Sequence, residues 1–159
     1  MLNIGNWYAV KDGDPRAFQL MQRHYTFHEY QDGRRHNQAN RNRHLIVGPG
    51  QKMVLITPQA DALFIWRRFF DHSGQQGVNC AAFHNESPTL SSSMITEAQT
   101  LAWQRWPGQR LYTYVNEAKI KSANPGYCFK MAGWRTCGRT KSGLVILEIV
   151  PTEKPTAPH

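Results

Sequence analysis

The chain has 159 residues, the length of one ordinary domain, and its 19 Lys and Arg outnumber its 11 Asp and Glu to give a net charge of +8. Apolar residues make up 40% of the chain and the mean hydropathy is −0.58, values that are typical of a globular protein and exclude a disordered or membrane-spanning one. A pI of about 9.7 favours a polyanionic partner, with nucleic acid first among the candidates.

The three cysteines show no CxxC spacing, which argues against a zinc finger and against a disulfide framework. The N-terminus has no basic segment followed by an apolar block, so no secretory signal is expected. Together these two observations predict a reducing, cytoplasmic setting.

The predicted elements run in the order helix, three strands, helix, strand, short helix, two strands. Asp14-Pro15 predicts the N-cap and first residue of a helix that extends to about Glu29. Apolar runs bounded by turn residues predict strands at 53–57, 62–66, 78–83, 111–115, 134–137 and 144–150. Serines 91–93 are N-cap candidates for the second helix, and residues 124–133 form the short one.

The strand–helix–strand unit between residues 78 and 115 requires a parallel crossover, whereas the hairpins are antiparallel. The sequence therefore predicts an α/β (α+β) chain with a mixed sheet. We expect a single domain over residues 1–150 that carries an exposed basic loop at 31–44. Residues 151–159 (PTEKPTAPH) hold three prolines and predict a disordered tail.

Residues 124–138 (NPGYCFKMAGWRTCG) resemble the C-terminal signature of GNAT-type acyltransferases: an Asn, a short helix, then Gly-aromatic leading into a strand. The order of elements fits the GNAT fold over most of the chain. The resemblance implies a central parallel strand pair that splays around a cleft and is flanked by helices.

The chain is also similar to Mom-type phage proteins. The resemblance lies in Arg23-His24-Tyr25, the GPG turn at 48–50, VNC at 78–80, the serines at 91–93 and YTYVN at 112–116. Mom-type proteins add a carbamoylmethyl group to adenine N6 in phage DNA and so block restriction. The resemblance implies a phage- or prophage-encoded DNA-modification transferase that acts on double-stranded DNA in the bacterial cytoplasm.

The GNAT family holds the pyrophosphate of coenzyme A on an R/Q-x-x-G-x-G/A loop after the central strand, and residues 84–94 (HNESPTLSSSM) contain no glycine there. Ser91, Ser92 and Ser93, together with Asn124, are the predicted cofactor-binding residues. The donor, acetyl-coenzyme A or another acyl or alkyl donor, stays open, and acetyl-coenzyme A is expected to bind weakly. The family's general-acid tyrosine falls at Phe129, so Tyr127 is the preferred phenol.

His24 and His28 lie four residues apart on the predicted first helix, a spacing that suits a proton-transfer pair or a metal ion. Only Glu29 lies near enough to complete a ligand set, so no metal is predicted, and polar edges of an amphipathic helix are the alternative. In the GNAT topology this helix borders the acceptor cleft, which makes His24 and Tyr25 candidate catalytic residues.

Three further candidates lie on the strands. Asn79 is predicted to orient an amide or base edge, beside Cys80 as a small core residue, and His84 or Glu86 is a candidate base at the strand end. Tyr112, Tyr114 and Asn116 alternate and share one face, which predicts a cleft wall with half-buried packing as the alternative.

Four arginines without lysine lie close together at Arg34, Arg35, Arg41 and Arg43. The guanidinium fork suits phosphates and guanine edges, so these side chains are predicted to bind DNA, with a merely solvated loop as the alternative. Lys119 and Lys121 are predicted to extend this surface, as are Arg135, Arg139 and Lys141. The tryptophans and tyrosines are candidate stacking planes for a flipped base.

Three functions stay open on these grounds. The first is DNA modification at a base amine. The second is a conventional acetyl-coenzyme A-dependent N-acetyltransferase that acts on a small amine or a protein. The third is a non-catalytic nucleic-acid-binding protein on a degenerate GNAT scaffold.

Overall fold

A computed structural model describes residues 3–24, 44–118 and 126–151. Its strands are β1 (Asn3–Ile4), β2 (Trp7–Val10), β3 (Gln51–Ile56), β4 (Ala62–Arg68), β5 (Val78–Asn85), β6 (Leu111–Val115), β7 (Arg135–Arg139) and β8 (Val145–Ile149). Its helices are α1 (Pro15–Gln22), α2 (Ser91–Arg105) and α3 (Tyr127–Met131). The six predicted strands correspond to β3–β8, with ends that differ by at most two residues.

The strands form one eight-stranded mixed sheet in the order β1-β2-β3-β4-β5-β6-β8-β7. Neighbours pair antiparallel except for β5 and β6, which are parallel. A mixed α+β architecture is therefore confirmed, and the crossover through α2 accounts for its parallel pair.

The parallel pairing of β5 with β6 covers only three residue pairs and ends at Cys80 and Thr113. A β-bulge lies at the same point: Ile65 of β4 pairs with Ala82 while Trp66 pairs with Cys80, so Ala81 is the extra residue. Because a bulge bends its strand and increases the local twist, β5 leaves β6 here. Residues 81–85 continue beside β4, and no described strand pairs with them on the other side.

The parallel pair begins at a close backbone approach. Val78 N–H donates to the carbonyl of Arg110 at 2.8 Å, and Gly77 lies just before it with a φ of +119°. A Cβ at Gly77 would lie 2.2 Å from the Arg110 carbonyl oxygen. Glycine is therefore required both for its conformation and for the absence of a side chain.

Two apolar cores lie on opposite faces of the sheet. Ala17 and Leu20 of α1 pack on one face against residues of β3, β4 and β5. The other face is covered by α2 and by Phe129 of α3, in a cluster that includes Phe64 and Trp66.

Four of the five tryptophans belong to these contacts, and for these four the prediction that they offer stacking planes for a base is wrong. Trp7, Trp66, Trp106 and Trp134 are at most 6% exposed. Trp7 and Trp66 donate their indole N–H groups to backbone carbonyls of α2, at 2.8 and 2.9 Å. Trp134 donates to Gln99 of the same helix. Indole groups thus fasten α2 to the sheet.

The helix ends differ from expectation. Asp14 is the N-cap of α1, as predicted, and accepts from Arg16 N–H at 2.8 Å. The helix ends at Gln22 rather than near Glu29, because Arg23 and His24 bond back to the carbonyls three residues earlier in tightened turns. The N-cap of α2 is Leu90, which makes no side-chain capping bond, so the prediction of an N-cap among serines 91–93 is wrong.

Strands β1 and β2 were not predicted, because the apolar run at Trp7–Val10 is only four residues long. Most of the predicted basic loop at 31–44 and the tail at 152–159 lie outside the described residues. Among the helices that the structure describes, none has the length and apolar composition to cross a membrane.

We expect Gly77→Ala to destabilise the fold more than Gly74→Ala. Both glycines have positive φ, +119° and +88°, but a Cβ at Gly74 meets nothing within 4 Å. Gly74→Ala should cost only backbone strain, about 1 kcal/mol, and Gly77→Ala should exceed it by about 2 kcal/mol or more because the β5–β6 junction must open. Urea unfolding of both variants measures the difference, and equal losses would contradict the close approach.

Candidate functional site

The structure describes only part of the predicted site. His24, Asn79, Tyr114, Tyr127 and serines 91–93 have described positions. The predicted residues that lie outside the described part are Tyr25, His28, Arg34, Arg35, Arg41, Arg43, Lys119, Lys121 and Asn124. The paired arrangement of His24 with His28 is thus untested, and His24 itself lies beyond the end of α1.

Four polar side chains meet where β5 has left β6, and we call them the histidine cluster: Arg23, His24, His84 and Glu86. The rings of His24 and His84 pack edge to face with centroids 5.5 Å apart. Nε2 of His84 lies 2.7 Å from a Glu86 carboxylate oxygen. Arg23 donates to both oxygens of that carboxylate, at 2.5 and 3.0 Å. The end of α1 and the end of β5 together build this cluster.

Charge within the histidine cluster orients His84. Hydrogen bonds from Arg23 and His84 lower the pKa of Glu86 to about 2, so its carboxylate is ionised and only accepts. Nε2 of His84 therefore carries a proton, and in the neutral ring Nδ1 is left as the proton acceptor. This is the arrangement of a general base that is held by a carboxylate.

His24 contributes differently. It is 7% exposed, and burial, with a smaller effect of the neighbouring His84, lowers its pKa to about 4. The ring is neutral at pH 7 and packs against the candidate base. Sequence reasoning identified His24, His84 and Glu86 separately but missed the role of Arg23, which lies 63 residues from Glu86 along the chain.

A second polar cluster joins the β4–β5 loop, residues 69–77, to β6. We call it the tyrosine–aspartate cluster: Asp71 and Ser73 of the loop, and Tyr112 and Tyr114 of β6. One oxygen of Asp71 accepts from the hydroxyls of Tyr112 and Tyr114, at 2.6 and 2.7 Å. The other accepts from the backbone N–H and hydroxyl of Ser73, and that hydroxyl also contacts the hydroxyl of Tyr114. The two tyrosines share a face as predicted, but both hold the β4–β5 loop.

Asp71 stays charged in this cluster. Burial tends to raise the pKa of Asp71, and the hydrogen bonds from the two tyrosines and Ser73 outweigh it, so the pKa lies below its usual value. Burial, with the bond to Asp71, raises the pKa of Tyr114 to about 12 although its contact with Ser73 acts the other way. The turn sequence at 71–77 contained no signal for this partnership with β6.

Asn79 and Cys80 of β5 make their contacts with the neighbouring strand β6. Asn79 is 6% exposed and its amide nitrogen lies 3.4 Å from the carbonyl of Tyr112. Cys80 is a buried core residue, as predicted, and burial raises the pKa of its thiol. Its carbonyl accepts from the hydroxyl of Thr113 at 3.0 Å. Both residues thus lie within the β5–β6 pairing.

The segment before α2, residues 85–91, is closed by hydrogen bonds among its own side chains and backbone. The amide oxygen of Asn85 accepts from the backbone N–H and hydroxyl of Ser87. The amide nitrogen donates to the Thr89 carbonyl and the Ser91 hydroxyl, both at 2.9 Å, and Thr89 N–H donates to Ser87. These groups thus satisfy one another within the segment that leads into α2.

Phe129 of α3, where the GNAT resemblance leads us to expect a tyrosine, is a core residue. Phe129 is 8% exposed and packs edge to face against Phe83 and Trp134, with centroids 6.1 and 4.9 Å apart. Tyr127 is 54% exposed and offers its hydroxyl to solvent at the start of α3. Tyr127 is the one tyrosine of α3, and its role as a general acid stays a prediction.

Two of the arginines predicted to extend the positive surface, Arg135 and Arg139, form ion pairs with carboxylates. Arg135 and Arg110 both donate to the buried carboxylate of Glu148, and Arg139 pairs with Glu117 at 2.8 Å. Lys141 makes no ion pair with a described residue. Within the described ranges, no group of three or more His, Cys, Asp or Glu side chains is placed to hold a metal ion.

In comparisons with known proteins, no family model and no curated protein matches the chain.

We expect the burial of neutral His24 to weaken the fold in acid. Its folded pKa of about 4 lies below the unfolded value of about 6.5, so the unfolded chain gains a proton first as the pH falls. Stability should therefore decline from pH 6.5 toward 4, by up to about 3 kcal/mol at about 1.4 kcal/mol per pH unit.

Urea unfolding between pH 7.5 and 4 measures this effect against His24→Gln, which should show a shallower decline. His72→Gln, at an exposed histidine of the β4–β5 loop, is the matched control and should follow the wild type. Parallel curves for all three proteins would contradict the burial of a neutral His24.

Proposed function

We propose that this protein is a GNAT-like transferase that modifies an exocyclic base amine in double-stranded DNA. The observation that carries the proposal is the separation of the parallel strands β5 and β6 after Cys80, with a carboxylate-held histidine on the freed part of β5. Separation of paired strands leaves backbone and side chains open to a substrate at the middle of a sheet.

The order of elements supports the GNAT-like arrangement. A strand pair precedes α1, three antiparallel strands follow, and α2 crosses to a parallel strand. Helix α3 and the β7–β8 hairpin then complete the sheet, with β8 between β6 and β7. The single parallel pair among the described strands and its short pairing are the features that favour the GNAT-like arrangement in this proposal.

The histidine cluster supports amine chemistry. The lone pair of an exocyclic purine amine is delocalised into the ring, so the reaction needs positioning and removal of a proton. His84 Nδ1 takes the amine proton as the new N–C bond forms, and Glu86 with Arg23 holds the imidazole. The leaving group of an activated acyl or alkyl donor departs with its bonding electrons and receives a proton from Tyr127.

Charge supports DNA as the acceptor. The chain carries a net +8, and the four arginines at Arg34, Arg35, Arg41 and Arg43 lie within ten residues that contain no acidic side chain. Guanidinium groups pair with phosphates in two-pronged fashion. Adenine N6 as the amine, a carbamoylmethyl-type group and protection from restriction rest on the similarity to Mom-type proteins.

The direct test is mass spectrometry of nucleosides from the DNA of cells that express the protein, where we expect a modified base. His84→Gln should lower the yield about 100-fold or more because the general base is lost, and Tyr127→Phe should lower it too. Both should leave duplex affinity nearly unchanged. Gln104→Ala, at an exposed position of α2, is the control and should retain full activity.

Other outcomes would select the alternative functions. Tight binding of acetyl-coenzyme A in calorimetry, without a modified nucleoside, would favour the N-acetyltransferase. Unmodified DNA together with strong duplex binding would favour the non-catalytic nucleic-acid-binding protein.

Replacement of the four arginines at 34, 35, 41 and 43 with alanine should weaken duplex binding across sequences. Each phosphate contact contributes about 0.9 to the slope of log affinity against log salt, so the slope should flatten by up to about three or four. Fluorescence anisotropy at several salt concentrations measures it. An unchanged slope would mean that these side chains are merely solvated.

A further inference from the structure

We propose that the β4–β5 loop, residues 69–77, is a second DNA-contacting element in which Phe70 packs against bases while flanking side chains bind phosphates. The identification of the ligand as DNA rests on the proposed function. The loop itself stands apart from the histidine cluster and takes no part in the chemistry above.

Phe70 is the first observation. Its side chain is 81% exposed, the largest exposure among the described large apolar residues. Among the described residues its aromatic neighbour is His72, edge to face with ring centroids 5.2 Å apart. An aromatic ring in that position contributes nothing to the core, so its apolar surface is available to a ligand.

The loop that presents Phe70 is held firmly on both sides. Phe69, just before it, packs beneath the guanidinium of Arg67 at 3.6 Å. Asp71, just after it, is fastened by the two tyrosine hydroxyls of β6 and by Ser73. Since the backbone around Phe70 is already ordered, little conformational entropy is lost when the ring meets a ligand.

Two cavities flank the loop and share His72 and Gln75. One, of about 610 Å³, is lined by loop residues together with Arg68 and Gln109. The other, of about 480 Å³, lies between the loop and the β7–β8 turn, where Arg139, Lys141 and Ser142 contribute. Amides, hydroxyls and cations dominate these walls, and such groups bind phosphate oxygens and base edges.

The charge around the loop is positive. The cationic side chains on and beside it are Arg67, Arg68, Arg110, Arg135, Arg139 and Lys141, and the carboxylates are Asp71, Glu117 and Glu148. The surplus is three positive charges. Arg68 and Lys141 make no ion pair with a described residue, so they are the side chains best able to meet phosphates.

An exposed ring between two polar cavities, one with Arg68 and the other with Arg139 and Lys141 in its wall, fits a nucleic acid better than a protein. Apolar wedges such as Phe enter between base steps while neighbouring cations follow the backbone. The other exposed apolar residues, among them Leu90 and Met131, line neither cavity. The loop therefore presents one isolated ring in a polar, cationic surround.

Fluorescence anisotropy with a labelled duplex tests the proposal. Phe70→Ala should weaken binding by about fivefold to a hundredfold, the range for loss of one base–aromatic contact, without changing the salt slope. Phe70→Trp should restore affinity. Leu90→Ala, which removes another exposed apolar side chain, 68% exposed, is the matched control and should bind like the wild type.

The phosphate contacts are tested separately. Arg68→Ala combined with Lys141→Ala should flatten the salt slope by up to about two. A duplex that contains 2-aminopurine should change its fluorescence on binding the wild type and not on binding Phe70→Ala, because the ring perturbs base stacking.

Equal affinities of Phe70→Ala and Leu90→Ala would overturn the proposal, as would a wild type that does not bind duplex. Loss of self-association in Phe70→Ala without loss of DNA affinity would assign the loop to a protein contact and also overturn it. The proposed function is judged independently by nucleoside analysis. Modified DNA with an unimportant Phe70 refutes only the loop, and unmodified DNA with Phe70-dependent binding refutes only the chemistry.

Discussion

The three-residue parallel pairing between β5 and β6 is the contact on which the rest of the site depends. It starts where Gly77 allows the backbone of Arg110 to approach and ends where the bulge at Ala81 bends β5 away. A longer pairing would carry the end of β5 alongside β6 and close the sheet. Because the pairing stops, the part of β5 that carries His84 has a partner strand on one side only among the described residues.

Three ion-paired or hydrogen-bonded carboxylates then connect elements of the sheet and its loops. Glu86 is held by Arg23 and His84, Asp71 by two tyrosines, and Glu148 by Arg110 and Arg135. In each case the carboxylate accepts from at least one donor that is distant along the chain. These three carboxylates connect α1 to β5, the β4–β5 loop to β6, and β8 to its neighbours.

The two functional proposals place different physical demands on these elements. Chemistry at an amine needs an imidazole held in one orientation, and the hydrogen bond between His84 and the ionised Glu86 provides this. Binding of a polyanion needs cations that are free of carboxylate partners, and Arg68 and Lys141 meet that need among the described residues. Arg139, by contrast, already has a carboxylate partner in Glu117.

Local patterns in the sequence determined the strands β3–β8, the start of α1 at Asp14 and the presence of a parallel crossover. These features were predictable because the periodicity of apolar residues, the turn residues and the helix caps each depend on a few neighbouring positions. They also selected His24, His84, Glu86 and Tyr114 as polar residues of interest. Only the tertiary structure decided their partners. Arg23 meets Glu86 across 63 residues and Asp71 meets Tyr114 across 43, and such pairings depend on strand register and loop path, which alternation alone does not specify.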